Sequence, residues 1–127
     1  MKGEALRLRP GQAPLLFVYN ADSGLFNTLA DMGHKIFSPE TYRCDLCALT
    51  HGYFQERAEW KSFVASLGVE CRFQHRDEFR RDWPADATSL PAVFRLEEGR
   101  PIPCLDRDAI ATCGDLDGLK GLIRNRC

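Results

Sequence analysis

The chain has no long apolar run: the longest, Leu15 to Tyr19, is far too short to cross a bilayer. It has no surplus of charge either, since 17 basic residues meet 18 acidic ones and leave a net charge of −1. Such a balance exerts no long-range pull on nucleic acid or on an anionic membrane, and neither is expected as a partner. The basic-looking stretch from Arg72 to Arg81 is interrupted by Asp77 and Glu78 and followed by Asp82, so it reads as a solvated charged face. No Gly-x-x-x-x-Gly-Lys-Ser/Thr loop is present to cradle phosphates, and Gly118-Leu-Lys-Gly121 reads as a piece of helix. Nucleotide hydrolysis is therefore not expected. Residues Lys2, Glu4, Arg7 and Arg9 occupy the N-terminal stretch without the apolar segment of a signal peptide, so a cytoplasmic location is expected.

What is present is enough for one domain. With 127 residues and 44% apolar side chains, a core can be buried without internal repeats or low-complexity tracts. Residues 1–14 form a polar leader closed by Pro10, Gly11 and Pro14, and residues 15–127 form the domain. Leu15 to Tyr19 lacks alternation and so predicts a strand covered on both faces. Asp22 or Ser23 can cap a following helix, whose stripe Phe26, Leu29, Ala30, Gly33 and Phe37 has helical spacing. Ser38-Pro39 stops it, and the chain up to Cys47 is expected to be extended or irregular.

A second helix is predicted from about Gly52 to Leu67, carrying Trp60, Phe63 and Val64 and capped by Gly68. Val69 to Phe73 alternates as a strand, and a short helix spans Asp77 to Trp83. Pro91 to Leu96 and Arg100 to Leu105 are two strands joined by Glu97-Glu-Gly99, with Pro101 and Pro103 placing the last strand at an edge. The stripe Leu116, Leu119, Leu122 and Ile123 predicts a closing helix, weakened by Gly118 and Gly121. The order β-α-α-β-α-β-β-α puts the first two strands parallel and the last two antiparallel.

The six cysteines could suggest a secreted disulfide scaffold, but the adequate core and the absent secretion signal argue otherwise. Cys71, Cys104 and Cys113 are expected to be small buried hydrophobes, and Cys127, at the terminus, to be exposed. Cys44-Asp-Leu-Cys47 differs from these, because its spacing lets two sulfurs close a small ring or grip one soft metal ion. As a redox pair, one thiolate attacks a disulfide and the other resolves the mixed intermediate. Cys44, N-terminal and beside Arg43, is assigned as the nucleophile, whereas Asp45 disfavours a thiolate. As a metal site, Cys44 and Cys47 would supply half of a tetrahedral zinc shell, with His51, His34 or Cys71 to complete it. As structural thiols, they would sit in a domain that only binds a partner. His34 reads as a surface histidine, and Asp22 and Ser23 as caps rather than members of a triad.

The element order, with Ser89-Leu90-Pro91-Ala-Val-Phe leading into Leu96-Glu-Glu-Gly99, resembles the thioredoxin-like superfamily. The resemblance implies an α/β fold with a four-stranded mixed sheet and an extra helix between the first and second strands. It also implies that Pro91 is the cis-proline opening the third core strand and shaping a substrate groove. Members of the superfamily carry Cys-x-x-Cys directly after the first strand, where this chain reads Ala21-Asp22-Ser23-Gly24, so its own pair is displaced along the sequence. Residues 18–24, His34-Lys35, Ser38-Pro39 and Tyr42 to Cys47 also resemble a group of small bacterial proteins, some of which carry a GTPase label. The function expected from the pair is thiol–disulfide chemistry on a protein thiol or disulfide partner, without a cofactor. The alternative is a zinc-binding site in a non-enzymatic binding module.

Overall fold

β1 (Leu15–Val18) is buried along its whole length, as its unbroken apolar sequence requires. It lies at the centre of a four-stranded mixed sheet with β2 (Cys71–Gln74), β3 (Ala92–Glu97) and β4 (Arg100–Leu105), in the order β2-β1-β3-β4. β1 runs parallel to β2 and antiparallel to β3, and β3 runs antiparallel to β4. The computed structural model describes residues 11–21, 44–50 and 58–127, with only the backbone of Asp45 and Cys47. Five helices are found among them: α1 (Asp45–Thr50), α2 (Ala58–Ser66), α3 (Arg76–Asp82), α4 (Arg107–Thr112) and α5 (Leu116–Arg126). None of these is long and apolar enough to cross a membrane.

The period of two along each strand sends side chains into two cores. Leu15, Phe17, Tyr19, Val93 and Leu105 meet Leu46, Trp60, Phe63, Ile110, Leu119 and Ile123 from four of the helices. On the other face, Leu16, Val18, Ala92, Phe94 and Leu96 pack with Phe79 of α3 and with Leu90. Phe17 meets Trp60 edge-on at 5.4 Å, and Phe79 stacks on Phe94 at 5.0 Å, geometries in which aromatic pairs add to simple burial. Gly68 after α2 and Gly99 in the β3–β4 turn have φ of +75° and +77°, conformations that an L side chain resists.

Several expectations need correction. The segment ending at Cys47 is not extended throughout, because α1 begins at Asp45. β2 is displaced by two residues from the predicted start at Val69. α4 lacked any prediction, yet Asp106 caps it by accepting the N–H of Ala109 at 2.8 Å. Cys127 is 2% exposed, and it forms a disulfide with Cys104 of β4, so neither is a solitary thiol. The bond ties α5 to the sheet edge, while the Cys127 carbonyl accepts the N–H of Gly11 at 3.0 Å. The expected helix of residues 25–37 lies outside the described residues, as does the predicted start of the second helix.

The two glycines of α5 are not equivalent. A β-carbon on Gly118 would collide with the carbonyl oxygen of Cys113, whereas one on Gly121 meets nothing within 4 Å. Gly118→Ala is expected to cost about 2 kcal/mol of stability, since backbone must shift to admit the methyl group. Gly121→Ala is expected to add about 0.5–1 kcal/mol through helix propensity. Urea unfolding of the two variants checks the opposite signs, and equal shifts would refute the close approach at Gly118.

Candidate functional site

The C-terminal ends of β1 and β2 and the start of β3 share one end of the sheet. Pairing continues past the strands: the N–H of Tyr19 donates to Gln74, and that of Arg76 donates to Ala21, both at 3.0 Å. Between these two bonds the N–H of Asn20 turns to Cys44 and donates to its Sγ at 3.3 Å. Although 24 residues separate them in sequence, the sulfur therefore lies directly beyond the first strand. Cys44 is disulfide-bonded and 7% exposed. Its carbonyl accepts the N–H of Ala48 at 3.1 Å, which makes it the residue that starts α1. Fully buried Leu46 fixes this short helix on the core, and within the helix the buried Thr50 hydroxyl donates to the Leu46 carbonyl at 2.8 Å.

Pro91 stands at the same end. Val18 pairs with Ala92, which sets the residues before Ala92 beside Tyr19 and Asn20. The Leu90–Pro91 peptide bond is cis, as the resemblance implied. The structure thus brings Cys44 and Pro91 to one end of the sheet. The Cys47 side chain, together with Asp22, Ser23, His34, Tyr42, Arg43 and His51, lies outside the described residues.

His75 was not singled out by sequence, though its place right after an alternating strand was a signal. Its ring lies 5.9 Å from that of Tyr19, and its backbone N–H donates to the Glu78 carboxylate at 2.7 Å. The same carboxylate oxygen sits 2.9 Å from Nδ1 of the ring. The backbone bond from His75, with the ring contact and charge behind it, holds the Glu78 carboxyl below its ordinary value of 4.5 against the opposing effect of burial. Since the folded value is lowered, this stabilisation is present above the unfolded pKa and lost as pH falls through the folded one. Glu78→Ala is expected to cost about 0.5–1 kcal/mol at neutral pH, the low end of capping effects because the carboxylate is partly in solvent. The gap from wild type should close as pH falls through the lowered folded value of the carboxyl, measured by urea unfolding across acidic pH.

The remaining sulfurs are less suited to exchange. Cys71 and Cys113 remain thiols. Burial, followed by the charge of Glu70, pushes the Cys71 thiol up, so little thiolate forms at neutral pH. Cys71 Sγ lies 3.6 Å from the Val69 carbonyl, away from the sheet end that carries Cys44. Among the described residues, no three His, Cys, Asp or Glu side chains are grouped to hold a metal ion. Cys44 could serve as a zinc ligand only once reduced, because metal binding needs a thiolate. No family model, curated protein or solved structure matches the chain.

Proposed function

We propose that this is a thioredoxin-like thiol–disulfide protein in which Cys44 and Cys47 exchange two electrons with a protein dithiol or disulfide. The observation that carries the reading is the disulfide-bonded Cys44 sulfur held at the N–H of Asn20, immediately beyond the first strand and at the start of a helix. In sequence the pair is displaced, yet the Cys44 sulfur lies beside Asn20, two residues beyond β1, and that proximity supports the reading. A parallel first pair of strands, a cis-proline opening the third, and a charged turn at Glu97 to Gly99 into the fourth support the same reading.

The chemistry follows from the sulfur. A partner thiolate attacks one sulfur of the oxidised pair, that bond breaks, and the released cysteine leaves as a thiolate. The partner's second thiol then attacks the mixed disulfide, and the chain ends as a dithiol with two electrons and two protons gained.

The proposal includes a cytosolic setting, in which the pair would cycle. The test is a redox titration in glutathione buffers with mass spectrometry of trapped thiols. A midpoint between roughly −200 and −270 mV, lost in Cys47→Ser, is the expected result. Stoichiometric zinc in the reduced protein, released together with its stability in Cys47→Ser, would replace this reading with the metal site.

A further inference from the structure

β2 is an edge of the sheet: among the described residues, β1 lies on one side of it and no strand on the other. The Glu70 and Gln74 carbonyls accept the N–H groups of Leu15 and Tyr19, and strand alternation turns the main chain of Arg72 the same way. The main-chain donors and acceptors of Cys71 and Phe73 therefore point away from β1. Phe73 is 37% exposed although its ring stacks on Phe17 at 4.9 Å, which leaves an aromatic flank along this rim. On the other face of the strand, the Glu70 and Arg72 side chains are more than half exposed and pair with each other at 2.8 Å.

The order Val69-Glu70-Cys71-Arg72-Phe73 is its own complement about Cys71. When a second β2 runs antiparallel with the two Cys71 residues opposed, each Glu70 faces the partner's Arg72 and each Phe73 faces the partner's Val69. Register and hydrogen bonding agree, because Cys71 turns its N–H and C=O outward and the opposed pair can exchange both main-chain bonds. Glu70 and Arg72 then fall at the positions without main-chain bonds, where side chains approach most closely. Centring on Phe73 instead would set Arg72 against the partner's Gln74 and lose both of these charge pairs. A net charge of −1 per chain puts no strong repulsion in the way.

We propose that β2 is a homodimerisation edge, at which two copies of this chain join their four-stranded sheets across a two-fold axis at Cys71. Main-chain bonds supply the attraction, and the Glu70–Arg72 pairs across the axis fix the register. The occupant is a second copy rather than a foreign strand, because the charges and the apolar ends match this strand's own sequence read backwards. Four residues of edge bury little area, so the association is weak, with a Kd on the order of 10–100 µM. The inference is independent of the redox reading, since no sulfur chemistry enters it.

The test is sedimentation equilibrium of the oxidised full chain, loaded from about tenfold below to about tenfold above that Kd. The mass should rise with concentration from 14.4 kDa towards twice that value. Arg72→Glu and Glu70→Arg should each weaken the dimer about tenfold or more, since like charges then face each other across the axis. Combining Glu70→Arg with Arg72→Glu restores opposite charges and should return Kd to within about threefold of wild type. Hydrogen exchange read by NMR adds a measurement on the wild type alone, which carries the test if a variant does not fold. The amides of Cys71 and Phe73 should gain protection as concentration rises, while that of Arg72, already turned to β1, should not. A monomer throughout the range, single reversals that leave Kd unchanged, a combined variant no tighter than either single one, or protection gained elsewhere than β2 overturns the inference.

Discussion

A Cys44→Ser chain is expected to lose disulfide exchange by about a thousandfold or more while keeping its fold. The residue touches three things at once: the Asn20 N–H, the first turn of α1, and the core shared by Tyr19, Leu46 and Trp60. Serine keeps the size and still accepts from Asn20, so packing changes little. It cannot, however, form a sulfur–sulfur bond, and its hydroxyl is not ionised at neutral pH. The matched control is Cys71→Ser, which removes a thiol that burial and Glu70 already hold in its unreactive form. Peptide-disulfide reduction should fall to background in the first variant and stay at the wild-type rate in the second. Retained exchange in Cys44→Ser would sink the proposed function, whatever the other cysteines do.

The second large effect concerns stability. Cys104→Ser is expected to lower the unfolding free energy by about 3 kcal/mol, because the bond closes a loop spanning 23 residues in the unfolded chain. For a domain of this size the melting temperature should fall by roughly 10 °C. Cys127→Ser should give the same value, and the double variant should lose no more than either single one, since all three remove the same bond. Urea unfolding in non-reducing buffer measures this without disturbing the Cys44 disulfide. A loss below about 1 kcal/mol in both single variants would show that α5 is held by packing of Leu119 and Ile123 alone. If the chain works in a reducing cytosol, this bond is under constant pressure to open, and its reduction would weaken the fold independently of the reactive pair.

How far the sequence could be read follows the physics of each element. The unbroken run Leu15 to Val18 announced a strand covered on both faces, because two layers of helix leave no polar side. Pro101 and Pro103 announced an edge, since a central strand could not accept two missing donors. Gly99 announced a tight turn, and Gly68 the end of α2. The short helices were hidden for different reasons. α1 spans six residues and is fixed by Leu46 packing in the core, a tertiary effect that its own sequence does not encode. α4 did carry a cap, with Asp106 three residues before Ala109 and Asp108 in the first turn, and that signal was readable. The Cys104–Cys127 bond was not, because it depends on where an edge strand and the end of α5 meet. Nor was the return of Cys44 to Asn20, which residues far apart in the chain settle together.

One consequence of β4 concerns molecules meeting other molecules. A strand at the rim of a sheet is a template on which a second chain can zip, through its outward row of amide donors and carbonyl acceptors. Pro101 and Pro103 lie two apart, on the same side of the strand, and a proline is tolerated in a sheet where its missing donor would have faced outward. Along β4, then, an incoming strand would find acceptors without the alternating donors that complete a ladder. At high concentration this rim should resist the strand-by-strand stacking that leads to fibrils, a protection written into two ring-closed residues rather than into charge.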